Sequence, residues 1–433
     1  MKLFKNLSPA RMIATGFLSV IFIGSILLML PISLNSGENL SYVNALFTAT
    51  SAVCVTGLTT VETATTFSVF GRAVIAMLIQ IGGLGVMSVG VGLLMLTGKH
   101  VSFKERQLVK ESISFKGMGG VIKLLRAILI MTLCFEVTGT IINFFIFLKY
   151  YNPIDAFGVA LFHTISSFNN AGFDVFGPMN GQASLISFSD NPLLLLVTAF
   201  LIIFGGLGFY TIFDILKTKK FKKFHLHTKV VLVSTVILLI AGTLIFKLTD
   251  NLSWLNSFFN STTARTAGFA TVDISILSRG GLFVLMILMF IGASPGSTGG
   301  GIKTTTVFTV LLSTFSAAAN RNNTVFKRKI PAIIVTKAFM IALLAFTIII
   351  TSAFLIFIFE PKFDFEDILF EVFSAFGTVG LSTGITSMLS SASKVVIIVT
   401  MFVGRLGPLT AATLWTFKSV SSACYSEEEL TIG

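Results

Sequence analysis

The stretch CVTGLTT (residues 54–60) decides the fold once its counterparts are found: NNAGFDV at 169–175, RTAGFAT at 265–271 and GTVGLST at 377–383. Each centres on a glycine, Gly57, Gly172, Gly268 or Gly380, and each follows about ten to fifteen residues with aromatics at helical spacing. A second mark recurs beyond the first. GGLG at 82–85, GGLG at 205–208, GASP at 292–295 and GRLG at 404–407 lie 25, 33, 24 and 24 residues after those glycines. Two marks recurring together four times define an internal repeat, although glycine-rich helix packing alone also produces clusters of the second kind.

Around these segments the composition is that of a membrane protein. Of 433 residues, 54% are hydrophobic and 12% charged, with a mean hydropathy of +0.91, whereas soluble domains run at roughly 45–50% and about 25%. A soluble enzyme, a disordered chain and a secreted disulfide scaffold are thereby excluded. A bilayer span takes about 20 mostly apolar residues, and eight such stretches run at approximately 12–30, 73–97, 127–148, 193–213, 230–246, 281–302, 338–359 and 395–417. Three connections carry seven, six and, beyond Lys303, five Lys or Arg, while the four on the opposite side hold twelve acids against seven bases. Positive loops stay inside, so both termini are expected in the cytoplasm. The net charge of +12 then reports topology rather than nucleic-acid binding. Cys54, Cys134 and Cys424 are too scattered for a metal or redox motif, and His225 and His227, in a lysine-rich stretch, read as solvated charge.

Two spans per unit return the chain to one side, so the units 1–98, 99–217, 218–319 (with a broken second helix) and 320–420 share one orientation, ahead of a cytoplasmic tail at 421–433. The expected architecture is all-α integral membrane, with four parallel M1-P-M2 repeats around a central pore: eight transmembrane helices plus four re-entrant pore helices. Parallel units contrast with the inverted repeats of many secondary transporters. Extended backbone at membrane depth is tolerated where it lines a wet cavity, and closely spaced carbonyls replace an ion's water shell. Glycine suits such a segment because it reaches φ > 0 and leaves room at a crowded axis. The expected ion-binding carbonyls belong to Val55, Thr56 and Gly57, to Asn170, Ala171 and Gly172, to Thr266, Ala267 and Gly268, and to Thr378, Val379 and Gly380. The C-terminal ends of the half-helices favour a cation there, and outer acids such as Asp174 raise its local concentration. The plainer reading is four helix ends capped by left-handed glycines.

GASPGSTGGGIK (292–303) interrupts the sixth span, and no straight helix survives its glycines and Pro295. It is not a phosphate loop, because Ile302 separates Gly301 from Lys303. Gly296, Ser297, Thr298, Gly299, Gly300, Gly301 and Lys303 are read as a gate beneath the glycines, with Arg405 of span eight as its partner and a packing kink as the plainer alternative. Glu136, Asp214, Arg265 and Glu371 are ionisable residues at or near membrane depth, hence candidate buried partners or cavity-lining groups. Arg265, three residues before Gly268, is expected to tie down its half-helix.

CVTGLT (54–59), NNAGFD (169–174), RTAGFAT (265–271), GTVGLSTG (377–384), GSTGGGIKT (296–304) and MFVGRLGPLT (401–410) together resemble the Trk, Ktr and HKT potassium transporter superfamily, most closely its Ktr membrane subunits. The resemblance covers nearly the whole chain and implies potassium uptake at a bacterial plasma membrane through a single-layer filter of four glycines. It also implies a loop gate beneath the filter with Arg405 nearby. Glycine at every filter position implies a preference for K+ over Na+, with Na+ as a candidate activator. The assembly implied is a homodimer, one pore per protomer, on a cytosolic nucleotide-binding regulatory ring of the KtrA/KtrC kind. No Rossmann pattern occurs here, so nucleotide belongs to that ring; the basic loops and the tail SEEELTIG (426–433) are the expected docking surfaces. The competing function is a sodium-coupled secondary transporter with a midplane ion site. Parallel repeats without a central buried carboxylate site favour the gated pore, and no nucleophile, base and orienter constellation suggests an enzyme.

Overall fold

The structure is a computed structural model that describes residues 8–96, 101–112, 120–177, 184–414 and 428; the rest of the tail, including Cys424, lies outside the described residues. One order of helices runs along the chain. A long apolar helix (α1, Pro9–Met29) leads to a short buried one (α2, Tyr42–Cys54), a single turn (α3, Thr63–Thr66) and an interrupted helix (α4, Val69–Leu84; α5, Val86–Leu96). After α6 (Phe103–Ser112) the order returns as α7 (Val121–Phe147), α8 (Pro153–Phe168), α9 (Pro192–Leu207) and α10 (Phe209–Thr218). It returns as α11 (Leu226–Thr249), α12 (Trp254–Thr263), α13 (Arg279–Phe290) and α14 (Thr304–Ala318), and then as α15 (Ala332–Phe359), α16 (Phe365–Gly377), α17 (Ser391–Leu406) and α18 (Pro408–Thr413).

The long helices α1, α7, α11 and α15 are apolar enough to cross a bilayer, and they turn large side chains such as Phe22, Leu133, Ile240 and Leu343 outward. A water-soluble protein does not expose apolar surface on that scale; lipid tails match it. The chain is therefore a multi-pass membrane protein. The short helices lie inside and are held by polar caps. Ser41 Oγ accepts from Asn44 N–H at 3.3 Å, Asn152 Oδ1 from Asp155 N–H at 3.0 Å and Ser253 Oγ from Asn256 N–H at 3.1 Å, each contact typically adding about 1 kcal/mol. α16 lacks a side-chain cap and places Glu366 and Asp367 in its first turn, where the helix dipole favours them.

The second and fourth spans, expected as continuous helices over 73–97 and 193–213, instead bend by 95° and 94° between α4 and α5 and between α9 and α10. The eighth, expected over 395–417, breaks between α17 and α18. Each break falls at a glycine, Gly85, Gly208 or Gly407, with φ of +84°, +88° and +87°, a conformation that ends a helix and that side chains other than glycine resist. At the corresponding place in the third cluster stands Pro295, whose ring holds φ near −65°. There the positive φ moves to Gly296 (+67°), and the chain passes through an open segment from Ile291 to Lys303 before α14 begins.

Candidate functional site

The four glycines predicted to act together meet in a closed ring. An added Cβ at Gly57 would stand 2.5 Å from the Ala171 carbonyl oxygen, and one at Gly172 2.6 Å from that of Ala267. At Gly268 and Gly380 it would run closer still into the carbonyls of Val379 and Thr56. Each strand thus faces the next, and the fourth faces the first. The glycines have φ of +90°, +70°, +80° and +98°, so conformation and contact both exclude a side chain. Two residues earlier, Val55, Asn170, Thr266 and Thr378 are also left-handed, with φ of +59°, +59°, +73° and +51°. Non-glycine residues in that region cost roughly 1–3 kcal/mol each and persist where surrounding structure holds them.

The half-helices supply that hold. The N–H groups of Thr56, Ala171, Ala267 and Val379 donate to the carbonyls of Ser51 (2.8 Å), Ser166 (2.7 Å), Thr263 (2.9 Å) and Ser374 (2.9 Å). In the first and fourth strands a hydroxyl adds a second bond: Gly57 N–H to Ser51 Oγ at 3.1 Å and Gly380 N–H to Ser374 Oγ at 3.0 Å. Sequence reading missed these serines, although both stand six residues before a ring glycine. The second glycine clusters pack behind the ring. Gly82, Gly205 and Gly404 press against the carbonyls of Val53, Phe168 and Phe376, each four residues before a ring glycine, where a Cβ would overlap backbone. Close helix packing, the plainer reading of those clusters, is thus part of how the ring is built.

Gly57, Gly172, Gly268 and Gly380 line a cavity of about 460 Å³ that also holds Glu62 and Asp174. Asp174 is half-buried, and burial pushes its carboxyl up to about 6, against the pull of the Phe176 N–H and with Glu62 adding to the rise.

On the other side of the ring runs the 291–303 segment, tied to the second, third and fourth strands. Gly300 N–H donates to Thr378 Oγ1 at 3.0 Å, Thr298 Oγ1 lies 3.2 Å from the Asn170 amide, and Gly299 packs against Thr266 Oγ1. Lys303 Nζ closes the loop on Gly299 O at 2.6 Å. Arg405 Nη1 donates to Thr298 O, while Nη2 donates to Gly82 O and, at 3.3 Å, to Gly83 O. The expected partnership of Arg405 with the loop is a direct contact. Ser297, Gly296, Lys303 and Arg405 border a smaller cavity of about 160 Å³.

The remaining ionisable residues divide. Asn169 Nδ2 donates to Gln80 Oε1 at 2.8 Å and to Glu136 Oε1 at 3.3 Å, which places Glu136 behind the second half-helix. Asp214 seals the turn into α11, accepting from Thr218 Oγ1 (3.1 Å), His225 N–H (3.1 Å) and Thr228 Oγ1 (2.6 Å). His225 Nδ1 lies 3.1 Å from the same carboxylate, so His225 is a partner of Asp214 and not simply solvated charge. Arg265 is 6% exposed, and its Nε has no hydrogen-bond partner among the described residues.

Comparison with known proteins identifies the family. The profile of TrkH, a cation transport protein family, matches residues 8–249 and 228–423. The chain is 40% identical to the Ktr system potassium uptake protein B of Bacillus subtilis (strain 168) over 441 residues, covering 98% of this chain and 97% of that one. It is 38% identical to the potassium/sodium uptake protein NtpJ of Enterococcus hirae, covering 99% and 98%. The crystal structure of the potassium transporter TrkH from Vibrio parahaemolyticus superimposes with a TM-score of 0.72 at 19% identity, covering 95% of this chain and 86% of that one, a likeness of fold. With its family profile matched along nearly its whole length and full-length relatives at this identity, the chain belongs to the TrkH family of cation transport proteins, which are transporters and not enzymes.

Proposed function

We propose that this chain is the ion-translocating subunit of a potassium uptake system, in which the units 1–98, 99–217, 218–319 and 320–420 stand parallel around one axis and K+ crosses at the glycine ring. The eight spans would then be four long helices and four interrupted ones, with α2, α8, α12 and α16 as the re-entrant half-helices. The observation that carries this reading is the closure of the ring, in which each glycine meets the carbonyl of the next strand and the last meets the first. Main chain alone is common to the four strands, so the carbonyls of 55–57, 170–172, 266–268 and 378–380 are the shared ion ligands. Half-helix C-termini aimed at the ring, and a cavity holding Glu62 and Asp174 on its outer side, favour a cation over an anion.

Loop residues 296–301, Lys303 and Arg405 form the barrier on the cytoplasmic side. The inside location of both termini rests on the basic loops. The relatives' names support the ion and the assembly: those from Bacillus and Vibrio are potassium uptake proteins of a Ktr system. From the motif resemblance, beyond what those names say, we also propose a homodimer at a bacterial plasma membrane, docked through its basic loops on a cytosolic nucleotide-binding ring. The Enterococcus relative is named for potassium and sodium, which keeps Na+, as activator or coupled ion, within the test. Gly268→Ser adds a Cβ where Val379 O already sits at φ +80°. Rubidium uptake in competition with sodium should lose about tenfold of its preference, the scale of about 1.4 kcal/mol. An unchanged ratio at normal expression would remove the ring from selectivity.

A further inference from the structure

The four half-helices can be compared at one register, nine residues before each ring glycine, where Thr48, His163, Phe259 and Glu371 stand, all buried. Among the described residues none of the first three hydrogen-bonds to the strand beyond the ring, although the His163 ring packs against Phe176 and Phe269 there. Thr48 Oγ1 has no partner, His163 Nε2 pairs at 2.8 Å with Thr198 on α9, and Phe259 is apolar. Glu371, 1% exposed, turns its carboxylate on the segment that follows Gly380. Oε1 accepts from the Ser382 hydroxyl and from Thr383 N–H at 3.2 Å; Oε2 accepts from the Thr386 hydroxyl at 2.6 Å. Ser382 Oγ in turn lies 3.1 Å from Thr386 Oγ1 and accepts from Gly384 N–H at 2.9 Å. The nearest counterpart is a single longer bond, Asn260 Nδ2 to Thr271 Oγ1 at 3.4 Å.

We propose that Glu371 is a positioning residue that fixes the fourth strand of the ring and thereby helps to set its preference for potassium; this rests on reading the ring as the filter. A carboxylate is acceptor-only, so one side chain gathers three donors, the half-buried Ser382 hydroxyl and Thr383 N–H and the buried Thr386 hydroxyl. Ser374 Oγ holds Gly380 N–H from the half-helix side, and Glu371 holds 382–386 beyond it. Gly380 is thus clamped from both directions, and its φ of +98° is the most positive of the four ring glycines. Ser382, Gly384 and Thr386 also line the outer cavity, so the same bonds shape the approach to the ring. With the carboxylate removed, 381–386 relaxes and the seam where Val379 O meets Gly268 loses its fixed width. A ring of variable width discriminates ions of different size poorly.

The test uses the full chain in liposomes and reads rubidium uptake against competing sodium. Glu371→Ala should lower the rubidium-to-sodium ratio by about fivefold and Thr386→Val by about twofold, because each removes bonds that fix the strand. Glu371→Gln keeps an acceptor for Thr383 and should fall between Glu371→Ala and the parent. Thr48→Ala, at the same register without a partner, should leave the ratio unchanged. A folded Glu371→Ala protein with the parental ratio overturns the proposal, as does a Thr48→Ala loss equal to that of Glu371→Ala. Should Glu371→Ala fail to fold, Thr386→Val decides by the same ratio. Gly268→Ser is measured alongside: if it loses selectivity while Glu371→Ala does not, the filter stands and the role of Glu371 falls. If neither variant changes the ratio, the filter reading itself falls.

Discussion

Three of the interrupted helices turn on a single glycine, whereas the third ends at Phe290 and opens into a loop that carries Pro295 where the others carry that glycine. Gly85, Gly208 and Gly407 each complete the turn at φ between +84° and +88°. Pro295 cannot, so the chain must leave the helix without a one-residue hinge. The carbonyls and N–H groups released from helix pairing then seek other partners. They find them in the neighbouring second helix: Ser294 N–H donates to Gly206 O at 3.0 Å, Thr298 N–H to Gly205 O at 3.2 Å, and Phe209 N–H to Gly296 O at 2.9 Å. A symmetric ring thus sits above an asymmetric floor. What all four strands share is main chain; what only one segment provides is a loop fastened by side chains, Thr378, Lys303 and Arg405 among them.

The comparison breaks most readily at Gly208. It combines a left-handed φ with contact, since a Cβ there would stand 2.6 Å from Pro295 O of the loop. Gly208→Ala should cost roughly 2–3 kcal/mol, read as a lower thermal unfolding midpoint in detergent, and a midpoint within error of the parent would refute the tight seam. Removing residues 296–301 comes next. Flux per molecule in liposomes without a regulatory ring should rise about tenfold, equivalent to about 1.4 kcal/mol of barrier. Arg405→Ala, which frees the Thr298 carbonyl, should move flux the same way by less; deletion without any rise would leave the loop as a packing kink. Gly407→Ala sharpens the comparison because nothing lies within 4 Å of its added Cβ. Only the backbone strain remains, about 1 kcal/mol, so a loss matching that of Gly208→Ala would show that contact is not what separates the two.

The smallest effect is expected at the outer cavity. Asp174, titrating at about 6, is charged above that pH and neutral below it. Uptake at limiting external potassium should therefore fall by about twofold as external pH drops from about 7.5 to 5, through loss of local cation attraction. Asp174→Asn should flatten this profile, and a slope of parental size in that variant would transfer the effect to Glu62 or elsewhere.

Much of this was legible beforehand because it repeats. The glycines 57, 172, 268 and 380, the short buried helices before them and the break at 292–303 are periodic or composition-driven features, and each appears where the sequence places it. The bends at Gly85, Gly208 and Gly407 were not read, since a lone glycine inside an apolar run also fits an unbroken span; Pro408 directly after Gly407 was the available signal. Ser51 and Ser374 had a signal of their own, since a hydroxyl residue stands six before every ring glycine (Ser51, Ser166, Thr262, Ser374), but that register does not say which of the four bonds the ring.

By itself the sequence determined the membrane environment, the number of repeated segments and the residues that must be glycine, because hydropathy, charge asymmetry and steric need are local properties. Only the tertiary structure decided who meets whom. That Gly57 faces Ala171 and Gly380 faces Thr56, that Arg405 reaches both Thr298 and Gly82, and that Glu371 turns toward Thr386 while His163 turns toward Thr198, all depend on contacts between segments remote in the chain. Such contacts are fixed by packing and by the demand that each buried polar group find a partner, a condition that no single segment carries in its own composition.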